Sequence, residues 1–225
     1  MSLEKMSDFF NARAGAYDDH MLIECGLGEI YAEIAELVRP GRSDFSLLDL
    51  GCGTGLELER LFSKYPDMRV TCIDLSPGML ELLRAKCQRK SIEIICGSYF
   101  DVDFGSGFDF ALSVESFHHF SAEQKRCLYS KIRAALKPGG LFILGDYTVK
   151  TQERQDDLLA ESIRLRLENG VPDGEFYHID IPFTADNERR LMEEAGFVNV
   201  RIVREWENTS IITAEAQISD NRRQS

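Results

Sequence analysis

The 225-residue chain has no long apolar run and no recognisable export signal. No stretch approaches the roughly 18 apolar residues that a membrane-spanning helix needs. Residues 1–8 lack the basic start and apolar centre of a signal peptide. With 44% hydrophobic and 28% charged residues, the composition is that of a soluble globular protein. These absences predict a cytoplasmic protein without a membrane partner, large enough for one substantial α/β domain.

The six cysteines form no C-x-x-C pair, and no histidine stands at zinc-finger spacing from them. Cys72 and Cys96 fall inside apolar, strand-like runs, where cysteine behaves as a small hydrophobic residue. Because no export signal is present, reduced thiols are expected. The sequence therefore predicts no metal site.

Basic residues are scarce: 26 Lys and Arg stand against 38 Asp and Glu, a formal net charge of −12. No basic stripe offsets this balance, since Lys and Arg are interleaved with acids almost everywhere. A surface of this sign repels a phosphate backbone, which argues against a nucleic-acid partner. It leaves open a charged metabolite or a protein side chain as substrate, and a monomer or a homodimer as the assembled state.

Short apolar runs alternate with amphipathic segments through the first two thirds of the chain. One helix is predicted to begin at Ser76-Pro77, with serine as N-cap and proline at the first position. Another is predicted to begin at the capping box Ser121 to Gln124. The alternation predicts a doubly wound α/β fold, with a mostly parallel sheet and helices on both faces. The predicted strands cover residues 46–50, 69–73, 92–96, 108–113 and 141–145.

The flanking segments do not follow this alternation. Residues 6–39 are predicted as two helices separated near Gly26, whereas residues 151–182 are polar, partly helical and irregular. A helix over 187–195 and strands over 198–204 and 209–216 are predicted to close the domain. We divide the chain into an N-terminal helical segment (1–40), a core (41–146), an insert (147–183), closing elements of the same sheet (184–217) and a tail (218–225).

A glycine-rich loop follows the first predicted strand. Gly51, Gly53 and Gly55 allow the backbone to turn tightly and to approach a ligand closely. Dinucleotide-binding folds also place glycines here, but the strict G-x-G-x-x-G pattern needs glycine where Leu56 stands. Asp49 lies two residues before the loop, where its carboxylate disfavours a pyrophosphate and suits a cationic ligand.

A second acid, Asp74, ends the next predicted strand, where a carboxylate can accept hydrogen bonds from both ribose hydroxyls. With this acid, the sequence resembles the class I S-adenosylmethionine (SAM)-dependent methyltransferases. The resemblance implies SAM as cofactor, a seven-stranded sheet with an antiparallel last strand, and a small-molecule methyl acceptor. SAM is cationic and lacks phosphate, in agreement with Asp49. The matching motifs follow the family's order over about residues 46–146: Leu48 to Gly55, Asp74 to Met79, Phe108-Asp109 and Leu136 to Gly140.

The residues expected to bind SAM follow from this resemblance. Some have alternative roles: Asp74 can cap the following helix, Met79 can belong to the core, and Tyr17 can pack an N-terminal helix. The pair Gly97-Ser98 departs from the Gly-Asp of many relatives, so a charged contact to adenine is missing. The full expected set is Asp49, Gly51, Cys52, Gly53, Gly55, Asp74, Leu75, Met79, Ser98, Tyr99, Ser113 and Tyr17.

Methyl transfer is an in-line displacement that needs a positioned nucleophile, and some acceptors also need a base. His118 and His178 are the candidate bases, because imidazole titrates near neutral pH. His118 is followed by His119, and a structural role is expected for at least one of the two. The segments 6–20 and 151–182 are predicted to form the acceptor pocket, with residues 1–40 resembling the family's lid. Alternatively, their aromatic side chains only anchor peripheral helices to the core.

Three other functions compete with small-molecule methyl transfer. A non-catalytic SAM-binding module is compatible with every ligand motif, and so is an enzyme that uses a SAM derivative for different chemistry. An NAD-dependent oxidoreductase is disfavoured by Leu56 and Asp49. The chain has no Asn/Asp-Pro-Pro-Tyr/Phe element, which argues against amino-methylation of nucleobases or glutamine side chains by that route.

Overall fold

The computed structural model describes residues 3–172 and 174–217, so the predicted tail lies outside the described residues. Eight strands are present: β1 (Ser46–Leu50), β2 (Arg69–Asp74), β3 (Ser91–Cys96), β4 (Phe108–Val114), β5 (Leu136–Val149), β6 (Phe183–Thr184), β7 (Phe197–Glu205) and β8 (Thr209–Ala216). The helices are α1 (Met6–Arg13), α2 (Tyr17–Asp19), α3 (Gly28–Leu37), α4 (Leu56–Lys64), α5 (Pro77–Lys86), α6 (Ala122–Ala135), α7 (Gln152–Glu168) and α8 (Ala185–Glu194).

The strands form one mixed sheet in the order β3-β2-β1-β4-β5-β8-β7, and the two-residue β6 pairs beside β5. β1 to β5 run parallel to one another, whereas β8 runs antiparallel to both of its neighbours, β5 and β7. The predicted doubly wound, mostly parallel sheet with an antiparallel closing strand is confirmed. The strand order reverses between β1 and β4, and ligands of such sheets bind at the carboxyl edge of this point.

The two faces of the sheet carry separate apolar layers. On one face, α3, α4 and α5 pack against β1, β2 and β4, with Ile34, Leu58 and Leu80 fully buried. On the other face, α6 and α8 pack against the sheet around Tyr129 and Phe142. Because α3 lies within the first layer, only the part of the predicted 1–40 lid that precedes it stands outside the core.

Local signals placed the helix starts correctly. The Ser76 hydroxyl accepts a hydrogen bond from the backbone N–H of Met79 at 3.3 Å, with Pro77 as the first helical residue. Ser121 and Gln124 form the reciprocal capping box at the start of α6. In each case the hydroxyl satisfies an N–H that the helix itself leaves unpaired.

The structure differs from the sequence prediction at β5. A strand was predicted over 141–145, yet β5 runs from Leu136 to Val149 and includes Pro138, Gly139 and Gly140. The register with β4 shifts between the partners of Phe108 and Phe110, so the extra residues form an irregular, bulged section. Proline cannot donate to the ladder, and glycine bends easily, which accounts for a bulge at this position.

The first predicted helix is broken into short pieces. α1 is followed by a 3₁₀ turn at Ala14–Ala16, then by α2 and a π-helical turn at His20–Glu24. Gly26, in left-handed conformation, then separates these turns from α3, as the sequence predicted. We call residues 3–24 together with 174–182 the cap, because both segments lie over the carboxyl edge of the sheet. Within the described ranges, no helix is both long and apolar enough to cross a membrane.

Candidate active site

The glycine loop leaves β1 in a conformation that a side chain would disturb. The Gly51 N–H donates to the carbonyl of Ile73 at the end of β2, at 2.8 Å. The φ angle of Gly51 is +77°, and a Cβ there would lie 2.3 Å from Ser116 Oγ and 2.5 Å from the Tyr99 hydroxyl. Only glycine therefore fits without displacing both polar side chains.

Asp74 fastens the loop to the second strand. One carboxylate oxygen accepts from the N–H of Gly53 at 3.0 Å, and the other accepts from the N–H of Ser76 at 2.7 Å. Burial raises the pKa of Asp74, although these two hydrogen bonds act to lower it. Each oxygen keeps a further lone pair, so Asp74 can hold the loop and still accept from a ligand hydroxyl.

Two further acidic residues lie beneath the loop. The carboxyl groups of Asp49 and Glu57 are both buried. Burial, followed by the charge of Glu57, raises the pKa of Asp49 well above its usual range. Burial also raises the pKa of Glu57 to about 7, against a hydrogen bond from Asp49 that acts to lower it. Within the described residues, neither Asp49 oxygen has a donor unless one of the two carboxyls is protonated.

The loop borders a narrow cavity at the carboxyl edge, which we call the loop cavity. Eight of the twelve residues expected to bind SAM line it. The Tyr99 and Ser116 hydroxyls, 2.8 Å apart, form part of its polar wall. Its volume is about 50 Å³. The eight predicted residues are Tyr17, Gly51, Gly53, Asp74, Leu75, Met79, Ser98 and Tyr99.

The other four predicted residues do not line the loop cavity. Asp49 faces Glu57 beneath the loop rather than a ligand. Cys52 is a buried free thiol in the apolar layer, and Gly55 precedes α4 with its Cα beside Leu83. Ser113 is fully buried in β4, and its hydroxyl has no hydrogen-bond partner among the described residues. A direct SAM contact by these side chains has no support from their positions.

A second and larger pocket adjoins the loop cavity. Its volume is about 830 Å³, within the roughly 300–1,000 Å³ of typical small-molecule sites. The cap supplies one side, through Phe9, Arg13 and His178, and the core supplies the other. Four residues line both spaces and form their common wall: Phe10, Tyr17, Glu115 and His119.

His118 and His178 both line the larger pocket, but their environments differ. The Nδ1 atom of His118 lies 2.8 Å from an Asp146 carboxylate oxygen. Burial acts to lower the pKa of His118, yet the charge and hydrogen bond of Asp146, with the charges of Glu115 and Asp180, together outweigh it and raise the pKa to about 9. A protonated His118 cannot accept a proton at neutral pH, which argues against the predicted base role. Burial lowers the pKa of His178, so that imidazole is neutral and can accept one.

Sequence reasoning missed Glu115 and Ser116, which directly follow β4. Glu115 has a φ angle of +47°, uncommon for a residue with a side chain, and its carboxyl lines both spaces. Burial is the main cause that raises its pKa to about 8. Residues that follow a strand at the switch point lie at the ligand edge. That rule, applied to β4, identifies both residues without a structure.

The two parts of the cap are joined to each other and to the core by polar contacts. The N–H of Met6 donates to the carbonyl of Phe176 at 3.0 Å, and the N–H of His178 donates to the carbonyl of Glu4 at 3.1 Å. The Asn11 side-chain oxygen accepts from the Ser76 hydroxyl at 2.7 Å. Phe176 and His178 thus join the predicted pocket, whereas α7 lines neither space.

The sheet order, the glycine loop and the acid that ends β2 define a methyltransferase domain of class I. Residues 47–140 match the family model described as a methyltransferase domain. Over this part of the chain, the sequence is that of a class I SAM-dependent methyltransferase domain. SAM is the cofactor of this family, and the loop glycines, Asp74 and the apolar walls of the loop cavity are of the kinds that such a ligand needs.

The curated proteins to which the chain is similar include a methyltransferase and a synthase. It is 29% identical over 112 residues to a malonyl-[acyl-carrier protein] O-methyltransferase of Acetivibrio thermocellus, which covers 50% of this chain and 39% of the relative. It is 27% identical over 242 residues to a carboxy-S-adenosyl-L-methionine synthase of Wolinella succinogenes, which covers 95% of each. The chain thus spans well under half the length of the first relative.

The fold of the chain is also similar to the folds of solved structures. The complex of DhpI with S-adenosylhomocysteine has a TM-score of 0.70 and 17% sequence identity to the chain. The match covers 94% of this chain and 95% of DhpI. At this identity the likeness concerns the fold alone.

Proposed function

We propose that the chain is a SAM-dependent methyltransferase that transfers a methyl group to a small-molecule acceptor. The observation that supports this most is the adjacency of two spaces at the switch point. One is bordered by the glycine loop and Asp74, the other is large enough for an acceptor, and four residues separate them. A cofactor in the first and an acceptor in the second would meet at that common wall.

SAM supplies an electrophilic methyl group when it is bound, and the residues of this chain have to hold and orient the reactants. Asp74 is the proposed acceptor for the ribose hydroxyls. Leu75 and Met79 supply apolar surface for the base, and the Gly51 to Gly53 backbone approaches the amino-acid end. Positioning of this kind accounts for much of the barrier reduction in a bimolecular displacement.

The cap has to open before a ligand of this size can enter. The loop cavity is far below the roughly 300 Å³ at which small-molecule sites begin. Met6, Phe10 and Tyr17 of the cap close it from one side. These residues are held by hydrogen bonds and a few partly buried rings rather than by a deep apolar layer, so opening leaves the core intact.

The acceptor can be an ionised oxygen acid. The malonyl relative is named for methylating a malonyl group on a carrier protein. A carboxylate is ionised at neutral pH and needs no base, so the protonated state of His118 is no obstacle. An acceptor that must lose a proton would depend on His178 or Glu115 instead. We also propose a cytoplasmic location, since all six cysteines are free thiols.

Calorimetric titration with SAM, S-adenosylhomocysteine and NAD tests the cofactor. We expect binding of the first two and not of NAD. Asp74→Ala should weaken SAM binding roughly 5- to 150-fold, since ribose hydroxyls lose their partner. The exposed Asp67 provides the matched control, Asp67→Ala, for which no change is expected. Unchanged affinity in folded Asp74→Ala protein would contradict the assignment.

A second candidate is an enzyme that modifies SAM itself. The carboxy-SAM synthase relative supports it, because the match covers 95% of both chains. Mass spectrometry of the cofactor after turnover separates the two functions. Methyl transfer produces S-adenosylhomocysteine. The second function replaces a hydrogen of SAM by a carboxyl group from a carboxylated co-substrate, which takes up that hydrogen, so the product is heavier by the mass of CO2. SAM binding without either product, across a panel of carboxylate acceptors, would indicate a non-catalytic binder.

A further inference from the structure

Three histidines surround one carboxylate oxygen in the larger pocket. Asp180 Oδ1 lies 3.2 Å from His119 Nδ1, 3.8 Å from His118 Nε2 and 3.9 Å from His178 Nε2. His118 and His119 follow β4 in a 3₁₀ turn, whereas His178 and Asp180 belong to the cap. The chain has only four histidines, and the fold brings three of them to a single point.

The oxygen at the centre of this cluster lacks a partner. Asp180 Oδ1 is buried and accepts no hydrogen bond from the described residues, although three ring nitrogens are near it. A buried acceptor without a donor costs free energy, and an unmodified native site seldom tolerates it. The side chain of His119 is itself only 2% exposed. The ring of protonated His118 is 3.8 Å away, too far to donate a hydrogen bond, so this oxygen still lacks a bonding partner. A metal ion at this point would displace the proton of His118.

We propose that His118, His119, His178 and Asp180 bind a divalent transition-metal ion of the zinc class, which fastens the cap to the core. Imidazole nitrogen and carboxylate oxygen are ligands that zinc accepts, and four protein ligands complete the tetrahedral set of a structural site. The inference does not depend on methyl transfer. It is an alternative to a base role for His178, because the ion would occupy Nε2 of that ring.

The distances suit such a site. Bonds of about 2.0–2.2 Å place neighbouring tetrahedral ligands roughly 3.3 Å apart. His119 Nδ1 lies 3.2 Å from Asp180 Oδ1, and ligand atoms of His118, His119 and Asp180 all lie within 4.8 Å of one another. His178 Nε2 lies 3.9 Å from Asp180 Oδ1 and has to approach the other two rings as the ion binds. His119 Nδ1 also lies 3.3 Å from the carbonyl of Ile179, a contact that ligation would replace.

Asp146 supplies the outer partner that metal-bound histidines usually have. Its carboxylate holds His118 Nδ1 at 2.8 Å and so directs Nε2 toward Asp180. A carboxylate in this position fixes the ring and makes it a better ligand. Glu115, His118 and Asp146 form another cluster of potential ligands, but Nδ1 of His118 is already engaged there. The His118–His119–Asp180 grouping is thus the one with free ligand atoms.

The test is titration of the chelator-treated, full-length chain with Zn²⁺ and with Co²⁺, whose visible spectrum reports tetrahedral nitrogen and oxygen ligands. We expect one tight ion per chain. His178→Ala and Asp180→Asn should each weaken binding more than 100-fold, beyond the 10- to 100-fold typical of an outer partner, which we expect for Asp146→Asn. Protease resistance of residues 174–182 should rise with the ion in the parent chain only.

His20 provides the matched control. It is the remaining histidine, is half exposed, and lies 3.5 Å from the thiol of Cys25, where a surface ion could bind. His20→Ala should leave metal affinity unchanged. Absence of saturable binding in the parent would overturn the proposal. So would binding that His20→Ala or Cys25→Ser abolishes and His178→Ala retains. The Co²⁺ spectrum of the parent decides the matter even if a variant fails to fold.

Discussion

The core and the cap of this molecule are held together by different means. In the core, helices pack largely apolar faces on both sides of the sheet, and Ile34, Leu58 and Phe142 have no exposed surface. In the cap, the buried apolar side chains are few, namely Met6, Ala14, Met21, Ile181 and Pro182, and hydrogen bonds, ion pairs and stacked rings supply the other contacts. The difference implies that the core is rigid and shapes the cofactor site, whereas the cap can open.

The largest effect is expected at a buried ion pair in the core. Lys125 on α6 and Glu188 on α8 pair with no exposed side-chain surface, and Tyr129 donates to Glu188. Glu188→Ala leaves a buried ammonium without its partner, so it should lower the free energy of unfolding by about 3–5 kcal/mol. Urea unfolding measures the change.

The same two helices offer a control for that experiment. Arg126 and Glu194 pair at 2.7 Å with about half of each side chain exposed. An exposed pair contributes at most about 1 kcal/mol, so Glu194→Ala should be nearly neutral. If the Glu188 and Glu194 variants lose the same free energy of unfolding, the expected contrast between buried and surface contacts is wrong.

A smaller effect is expected from the acids beneath the glycine loop. Glu57 keeps its proton in the folded chain up to about pH 7, whereas the unfolded chain releases it near pH 4.5. The folded state thus binds more protons between these values, and stability falls as pH rises through them. The fall amounts to about 3 kcal/mol at most. Glu57→Gln should reduce this fall in stability.

Thermal or urea unfolding from pH 4 to pH 8 checks this slope. Glu59→Gln changes an exposed residue of the same helix and serves as the control. If both variants flatten the dependence of stability on pH to the same degree, or if neither does, the buried Asp49–Glu57 pair does not cause that dependence. Asp49 is expected to shift together with Glu57, since burial raises the pKa of both carboxyls and the two interact directly.

The smallest effect is expected in the cap. The Asn11 side-chain oxygen accepts from the Ser76 hydroxyl and from the N–H of Gly78, at 2.7 and 2.9 Å. Asn11→Ala removes both bonds and should favour opening of the cap by about 1–2 kcal/mol, a factor of roughly 5–30. Limited proteolysis within residues 6–19 should accelerate by that factor. The global unfolding transition should stay unchanged.

Asp19→Ala, at an exposed cap position, is the control for this variant. Faster cleavage in Asn11→Ala but not in Asp19→Ala would support a cap held by the Asn11 contacts. A lower melting temperature of the whole chain in Asn11→Ala would mean instead that the cap is part of the cooperative core.

The core was largely predictable because its signals are local. The apolar runs of β1 and β8, the Ser76 cap and the Ser121 capping box each depend on a few neighbouring residues. The bulged start of β5 was missed, since a Pro-Gly-Gly segment is compatible with a turn and with an irregular strand. The place of Asp49 was missed because the sequence does not show that Glu57 of α4 lies against it.

The cap and the pocket were less predictable because their contacts link distant segments. His119 and Ile179 are 60 positions apart, and their contact depends on how the chain returns after α7. The predicted absence of a metal site considered cysteine spacing, whereas the histidine cluster exists only in three dimensions. Phe9 stacks on His178 with ring centroids 3.5 Å apart, another contact that no periodicity indicates.

The central claim is that SAM binds at the glycine loop and that the cap closes over it. Amide hydrogen exchange of the chain with and without SAM tests both parts in one measurement. The account predicts that SAM slows exchange in residues 51–55 and in residues 6–20 together, leaves α6 and α8 unchanged, and that NAD has no effect. Protection that spares the glycine loop, or that NAD reproduces, would contradict it.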